Sequence, residues 1–311
     1  MSKSVIEIVN EKIIAKLEAG INPWVKPWVD GYQVQPRNME TFRYYSGINN
    51  YLLKGSYFLT FKQVQELGGK IKKGAKSQIV IFSKMINKEN LSAQEIAMLS
   101  EEERFKRGVY YCLQYFNVFE AEDIENIDEL KLKDEYKNQV KKIVVQNTYF
   151  KEFDDRLIEQ ADKIITDYLE RENIKVEHQL NRGAFYSPLE DSITLPYSKQ
   201  FESVTEYYST VFHELAHSTG YITRLNRDIG NGFGTQKYSK EELIAEITAV
   251  LCLNALGIDS NQTESNSTAY LKGWADHLST KTNSWLILSA TKQAEQAFKR
   301  IFNIKDAENE E

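Results

Sequence analysis

The feature that most constrains this 311-residue chain is the pentapeptide His213-Glu214-Leu215-Ala216-His217. Residues four positions apart share one face of an α-helix, so both imidazoles can reach one metal ion if the segment is helical. Glu214 would face the remaining coordination position, where a carboxylate can take the proton of a water that attacks an amide carbonyl. The pattern predicts a helix that carries a zinc-dependent hydrolytic site.

A catalytic zinc ion takes three protein ligands, and a second helix, beginning near residue 240, is expected to supply the third. Glu242 and Glu246 lie four residues apart on this otherwise apolar helix. Ala245 and Ala249 would let it approach the histidine helix closely. We predict Glu242 as the ligand and Glu246 as a hydrogen-bond partner of a ligand histidine, with the reverse assignment as the alternative. The expected cofactor is one Zn²⁺ ion, with another divalent metal as the alternative.

A strand hairpin is expected at about 184–195, just before the histidine helix. A strand beside the metal can pair with an extended peptide substrate. Tyr186 in this hairpin has two interpretations, a catalytic donor to an oxyanion or a core tyrosine. The isolated His178 and His277 are predicted to be structural, and the two cysteines, Cys112 and Cys252, to be buried thiols without a disulfide framework.

Hydrophobic periodicity predicts an α+β protein of two domains. The first domain, residues 1–125, is expected to be mixed α/β, and it includes a charged helical insertion at 88–107 between paired strands at 78–82 and 110–119. Residues 126–155 form the predicted linker or variable insertion. The second domain, residues 156–311, is expected to hold a small sheet followed by helices at about 201–220, 239–256, 265–280 and 283–303.

The first 85 residues carry 13 Lys/Arg against 6 Asp/Glu, a net charge of +7, while the remainder carries −13. Aromatic residues interleave with these basic residues, and a glycine-containing basic loop follows at 68–76. Aromatic faces beside a cationic track are what single-stranded DNA binding requires, whereas the alternative is that the aromatic residues form a core. The predicted DNA-binding residues are Trp24, Lys26, Trp28, Arg37, Arg43, Tyr45, Lys70, Lys72, Lys73 and Lys76.

Targeting signals and membrane spans are not expected in this sequence. The N-terminus has no apolar segment typical of a signal peptide, and no apolar run approaches the ~18 residues that a membrane span needs. We therefore expect a cytoplasmic protein without a membrane partner.

Several motifs, taken in order, resemble the ArdC antirestriction family. The N-terminal motifs are Pro23-Trp24-Val25-Lys26-Pro27-Trp28, Tyr45-Ser46-Gly47-Ile48-Asn49 and Gly68-Gly69-Lys70-Ile71-Lys72-Lys73-Gly74. The C-terminal motifs are Tyr186-Ser187-Pro188, His213 to Gly220, Arg224-Leu225-Asn226-Arg227 and Glu241-Glu242-Leu243-Ile244-Ala245-Glu246. The resemblance covers nearly the whole chain and weakens over about 86–107 and 121–155.

This resemblance implies a single-stranded-DNA-binding domain followed by a zincin-like metallopeptidase domain. It implies origin in a plasmid, conjugative element or phage, and protection of incoming DNA from host restriction. The same N-terminal module occurs in conjugation primases, although this sequence shows no primase carboxylate pattern. Two hypotheses follow. The chain is either a zinc peptidase with a host protein as substrate, or a DNA-binding protector or primase accessory whose zincin domain is structural or binds a protein. Glu214 favours the first.

Overall fold

The computed structural model describes residues 4–24, 36–125, 130, 155–180, 183–229, 236–258, 273–275, 278 and 285–305. The chain forms two compact units that alternate along the sequence. The first unit contains residues 1–9, 35–45 and 52–139, and the second contains residues 10–34, 46–51 and 140–311. Helices and sheets occur in both, which confirms the predicted α+β class.

The first unit is built around a four-stranded sheet. Its helices are α3 (Phe61–Glu66), α4 (Ala93–Met98) and α5 (Glu101–Lys106), whereas α2 (Asn49–Leu52) falls almost entirely in the second unit. Its strands are β1 (Arg37–Asn38), β2 (Tyr57–Thr60), β3 (Lys70–Ile71), β4 (Gln78–Asn87), β5 (Val109–Glu120) and β6 (Ile124–Glu125). The sheet order is β1-β2-β5-β4, and β3 pairs with β6 in a separate ladder.

The long β4–β5 hairpin is antiparallel over ten residue pairs, from Gln78 opposite Val118 to Asn87 opposite Val109. Helices α4 and α5 connect these strands, which confirms the predicted helical insertion between paired strands. Ser92 begins α4 because its hydroxyl accepts a hydrogen bond from the Glu95 backbone N–H in a capping box.

Strand β2 was not predicted from the sequence. Its first three side chains are buried, so the strand shows no alternation of polar and apolar residues. At the end of β2, Thr60 and Gln63 form a capping box that begins α3. Phe58 of β2 packs with Tyr45, Leu53, Val80 and Val118 in the core of this unit.

The second unit combines a three-stranded sheet with packed helices. Its elements are α6 (Asp155–Glu172), β7 (Lys175–His178), β8 (Phe185–Ser187), β9 (Ser192–Leu195), α7 (Val204–Ser218), α8 (Gln236–Ala255) and α9 (Leu286–Ile301). Strand β9 is central, parallel to β7 and antiparallel to β8. Helix α7 packs on β8 and β9 and on helix α8, which packs on α9. This arrangement places the histidine helix beside the β8 edge.

The N-terminal third of the chain contributes to the second unit. Most of helix α1 (Val5–Glu18) belongs to it, as does the segment 46–51. The Lys16 ammonium group donates to the Tyr51 carbonyl at 3.0 Å, and the Gly47 N–H donates to the Glu295 carboxylate at 2.6 Å. Helix α9 is therefore joined to a segment that is far away in sequence.

Two of the predicted segments lie largely outside the residues that the structure describes. The predicted linker 126–155 lies outside the described residues except for positions 130 and 155, and so does most of the predicted helix at 265–280, including His277. Of the cysteines, Cys252 is buried as predicted, whereas Cys112 is half-buried, because the β5 hairpin extends beyond the core. Within the described part of the chain, no helix is both long and apolar enough to cross a membrane.

Candidate metal centre

Helix α7 presents the predicted metal-binding histidines. The helix begins after Ser203, whose hydroxyl accepts a hydrogen bond from the Glu206 backbone N–H at 3.1 Å. One turn of helix separates His213 from His217, and both imidazoles project from the same face, with their Nε2 atoms 3.1 Å apart. Local sequence therefore determines the pairing of the two rings.

Helix α8 brings a carboxylate to these nitrogens. The Glu242 oxygens lie 3.6 Å from His213 Nε2 and 3.6 Å from His217 Nε2. Alanine makes the close approach of the helices feasible, since Ala245 and Ala249 are buried beside Glu242. His213, His217 and Glu242 form a group whose ligand atoms all lie within 4.8 Å of one another.

The donor set fits a small divalent cation. A tetrahedral ion with bonds of about 2.0–2.1 Å has ligand atoms roughly 3.3 Å apart, close to the separations of 3.1 and 3.6 Å. Two imidazoles and one carboxylate are also ligands that Zn²⁺ accepts, and three of them leave a position open. Within the described residues, this three-ligand group therefore resembles a catalytic rather than a closed structural metal site.

Two further glutamates face the outer nitrogens of the histidines. Glu241 Oε1 lies 3.2 Å from His217 Nδ1, and Glu246 Oε1 lies 3.6 Å from His213 Nδ1. The 3.2 Å separation allows a protonated His217 Nδ1 to donate to Glu241, which would leave the Nε2 lone pair for a metal ion, whereas the 3.6 Å between His213 and Glu246 is a charge contact. A role as hydrogen-bond partner of a ligand histidine is predicted from the sequence for Glu246, and none is predicted for Glu241.

Arg227 holds Glu241 in place. Its Nη2 and Nε atoms donate to the Glu241 carboxylate at 2.7 and 2.9 Å, a bidentate pair. Arg227 also donates to the Ala216 carbonyl and the Thr219 hydroxyl at the end of helix α7. Burial raises the pKa of Glu241, but the hydrogen bonds from Arg227 and His217 outweigh it, so the net pKa is lowered and the carboxylate stays ionised.

The turn after α7 allows this arrangement because it contains Gly220. A Cβ on Gly220 would lie 2.5 Å from the Ile229 side chain and 3.1 Å from the Arg227 guanidinium group. A buried glutamate needs a cation, and Arg224-Leu225-Asn226-Arg227 comes shortly after the histidine helix. The sequence therefore offers a general signal for a cation here but does not indicate the contact between Arg227 and Glu241.

The metal cluster opens into a cleft of about 350 Å³. Glu214 lines this cleft although its side chain is 6% exposed. Phe185 and Pro188 of the β8 segment form its apolar wall, and Asp228 is at its rim. The cleft thus combines a buried carboxylate, an open metal position and an edge strand.

Carboxylates concentrate negative charge at the metal position. Burial alone would lower the pKa of His213, but the Glu242 hydrogen bond and the charge of Glu246 raise it to about 9. The same field that stabilises an imidazolium cation stabilises a bound metal cation.

Tyr186 is hydrogen-bonded to an ion pair formed by Asp191 and Arg224. Its hydroxyl donates to Asp191 at 2.7 Å, and Arg224 forms a bidentate pair with the same carboxylate. Burial, followed by the Asp191 hydrogen bond, raises the pKa of Tyr186. Its ring lines the cleft, but its hydroxyl is committed to this ion pair, which favours the interpretation as a core tyrosine over an oxyanion donor.

The first unit holds most of the described residues that were predicted to bind DNA. The rings of Trp24 and Tyr45 are only 3% and 5% exposed, so they offer no face to a base, and this part of the prediction is corrected. Trp24 packs edge-on against Tyr51 in the second unit instead. Large aromatic side chains are favoured in hydrophobic cores, and for these two residues burial takes the place of the DNA-stacking role that the composition suggests.

The basic residues differ in their surroundings. Arg37 stacks on the rings of Phe42, Tyr44 and Tyr57, with its guanidinium carbon 4.1 Å from the Tyr44 centroid. Arg43 is exposed, and so are four lysines around β3, namely Lys70, Lys72, Lys73 and Lys76. Lys72 donates to the Glu122 carbonyl, and Lys70 pairs with Glu125. Lys26 and Trp28 lie outside the described residues.

Comparison with known proteins identifies both halves of the chain. Residues 3–119 match the N-terminal domain of anti-restriction factor ArdC, and residues 159–293 match the zincin-like metallopeptidase family. Two proteins of Escherichia coli named DNA primase TraC are 32% and 29% identical over 86% of this chain. The aligned regions make up only 18% and 24% of those proteins. The y4eC protein of Sinorhizobium fredii is 23% identical, over 94% of this chain and 89% of its own length.

Solved structures of the antirestriction protein ArdC from plasmid R388 match almost the whole chain. The Mn(II)-bound structure is 26% identical with a TM-score of 0.65, covering 97% of this chain and 98% of that one. The metal-free structure is 25% identical with a TM-score of 0.64, covering 98% and 100%. This chain is therefore an ArdC-like protein, with the ArdC N-terminal domain followed by a zincin-like metallopeptidase domain.

Proposed function

We propose that this chain is a single-stranded-DNA-binding antirestriction protein of a mobile element, located in the cytoplasm, whose second unit is a zinc-dependent peptidase. The observation that carries the proposal is the triangle of His213, His217 and Glu242 with Glu214 beside it in a cleft. Support for the antirestriction role comes from the ArdC relatives, and support for mobile-element origin from the plasmid source of the solved structures.

Zn²⁺ in this site would polarise a peptide carbonyl and make water more acidic. The residues of the chain supply the rest. His213, His217 and Glu242 hold the cation, and Glu241 and Glu246 orient the two imidazoles. Glu214 accepts the proton of the attacking water and passes it to the leaving amine. Strand β8 lies at the edge of the described three-stranded sheet, where an extended peptide of a host protein would pair with it.

A Glu214→Gln variant separates hydrolysis from metal binding. The neutral amide keeps the shape of the site but cannot act as a base, so we expect unchanged zinc content and loss of peptidase activity. The readouts are metal analysis and a proteomic comparison of cells that express the original chain or the variant. Equal cleavage patterns in the two cultures would refute the peptidase proposal.

A second candidate function is a DNA-binding protector, or a conjugation or primase accessory protein, whose zincin domain is structural or binds a protein. The observation in its favour is the similarity to the TraC proteins, of which this chain matches a minor part. The same Glu214→Gln variant tests it in cells that carry a restriction system. Full protection of incoming DNA by the variant would favour this candidate over the peptidase.

A further inference from the structure

Two half-exposed aromatic side chains lie side by side on the β4–β5 hairpin. Phe82 is 46% exposed and Phe116 is 45% exposed, and their ring centroids are 5.7 Å apart with an edge-to-face angle of 70°. In the hairpin register, Phe116 is opposite Val80, and Phe82 is opposite Gln114. Directly opposed residues share a face, so both rings stand on the sheet face that also carries the buried Val80.

These two rings continue an aromatic row that begins in the core. The Phe58 and Phe82 ring centroids each lie 6.3 Å from that of Tyr45. Phe58 and Tyr45 are buried, so the inner end of the row is fixed by packing. The outer rings are therefore pre-positioned, and a ligand that stacks on them loses little conformational entropy on their account.

Polar and basic groups surround the outer rings. Lys84 follows Phe82 by two residues on the same face, and both Lys84 and Gln114 are exposed. Residues 36–87, which include β4, carry nine Lys/Arg and two Asp/Glu. Phe82 lies in this basic segment and Phe116 lies on the strand paired with it. An aromatic pair beside basic residues suits a polyanion that has its own aromatic faces, which is the chemistry of an unpaired nucleic acid strand.

We propose that the Phe82–Phe116 face is the base-stacking surface for single-stranded DNA, with Lys84 contacting a phosphate. This inference rests on the proposed single-stranded-DNA binding and names its contact residues. Bases in a duplex are stacked on one another, so only an unpaired strand can place its bases on these rings. Every base has such a face, and we therefore expect little dependence on sequence.

Tyr115 provides a matched control in the same strand. It is 47% exposed, adjacent to Phe116, and opposite Ile81, which places it on the other face of the sheet. A general loss of stability or of exposed aromatic area would affect Tyr115→Ala as much as Phe116→Ala. Stacking on the proposed face affects only the latter.

The experiment measures binding of a fluorescein-labelled oligo(dT) by the full-length chain, using fluorescence anisotropy at several salt concentrations. Phe82→Ala and Phe116→Ala should each weaken binding about 5- to 150-fold, since stacking contributes about 1–3 kcal/mol per base. Tyr115→Ala should bind within about twofold of the original chain. Lys84→Gln should reduce the salt dependence by about one phosphate contact. Phe116→Leu keeps apolar packing without the aromatic ring, and should lose affinity while retaining the melting temperature.

An oligonucleotide with abasic sites removes the bases while keeping the phosphates. The original chain should prefer oligo(dT) over this probe, and a Phe82→Ala/Phe116→Ala variant should have lost that preference. If the original chain binds neither probe, the proposed DNA binding itself fails. If it binds oligo(dT) and the phenylalanine variants bind equally well, only the inference about this face fails. A variant that loses self-association in sedimentation with unchanged DNA affinity would assign the face to a second copy of the chain and overturn the inference.

Discussion

The metal cluster and the aromatic sheet face represent two ways in which a sequence encodes a site. At the metal cluster, His217 contacts Glu241, Glu241 contacts Arg227, and all three are largely buried. On the sheet face, Phe82 and Phe116 are half-exposed and only their inner neighbours are fixed. Spacing on a helix defines the first site, whereas the second depends on which aromatic rings the core leaves uncovered.

Removing a metal ligand should have the largest effect, and it tests the choice between two glutamates. Glu242→Ala deletes a ligand and should weaken zinc binding by more than about 100-fold. Glu246→Ala deletes an outer partner and should cost roughly 10- to 100-fold. Competition with a chromophoric chelator measures both affinities. The opposite ranking would make Glu246 the ligand and Glu242 the outer partner.

Removing Arg227 should have the next largest effect. Arg227→Met leaves the Glu241 charge buried without its cation, which costs about 3–5 kcal/mol of stability. Zinc affinity should also fall by roughly 10- to 100-fold, because Glu241 no longer orients His217. Thermal unfolding and chelator competition give the two readouts.

A double variant separates the two contributions of Arg227. Adding Glu241→Gln to Arg227→Met removes the uncompensated charge, so we expect much of the stability to return while zinc affinity stays low. The d–d absorption spectrum of the cobalt-substituted protein should change in both variants, since it reports ligand geometry. An unchanged spectrum would mean that Arg227 only stabilises the fold.

Substituting a buried aromatic residue should affect stability and leave DNA binding intact. Trp24→Ala removes a buried ring that packs edge-on against Tyr51. Loss of such a ring costs about 3–5 kcal/mol. Chemical denaturation measures the cost, and anisotropy below the unfolding temperature measures DNA affinity. Weaker DNA binding by the folded variant would restore the prediction that Trp24 contacts DNA.

The helix-borne part of the candidate metal site is predictable from the sequence, because helical periodicity converts residue spacing into relative position. A single helical turn is enough to pair His213 with His217. The second apolar helix contains few glutamates, so there are few candidates for the third ligand. The contact between Glu241 and Arg227 is not predictable in this way, because it depends on the conformation of the turn that follows helix α7. Tertiary packing determines the conformation of that turn, and its sequence contains no repeating pattern from which the conformation could be predicted.

In the first unit, the residue types predict a basic and aromatic surface, but they do not indicate which aromatic residues are exposed on it. Tyr44 and Tyr45 are adjacent in sequence, yet Tyr44 is exposed and Tyr45 is in the core, because successive residues of extended chain point to opposite sides. Phe82 and Phe116 were read only as strand residues. Their exposure follows from the length of the β4–β5 hairpin, which extends past the core.

The smallest expected effect is that of Glu120, a carboxyl group at the end of β5. Burial raises its pKa to about 7, and the charges of Glu122 and Asp123 add to this. A carboxyl with a higher pKa in the folded than in the unfolded chain binds protons on folding, so its ionisation opposes folding. Its favourable contribution is present below pH 4.5, the ordinary value, and is lost as the pH rises to about 7.

Glu120→Gln should therefore raise the melting temperature at pH 8 by roughly 1–3 °C, and the difference from the original chain should shrink towards pH 5. The amide has the same shape and stays neutral throughout this range. Thermal unfolding at pH 5, 6, 7 and 8 measures the effect, with the exposed Glu122→Gln as a control that should change the melting temperature less. A difference that is constant with pH would show that Glu120 acts through packing, because only a titrating group makes stability depend on pH in this window.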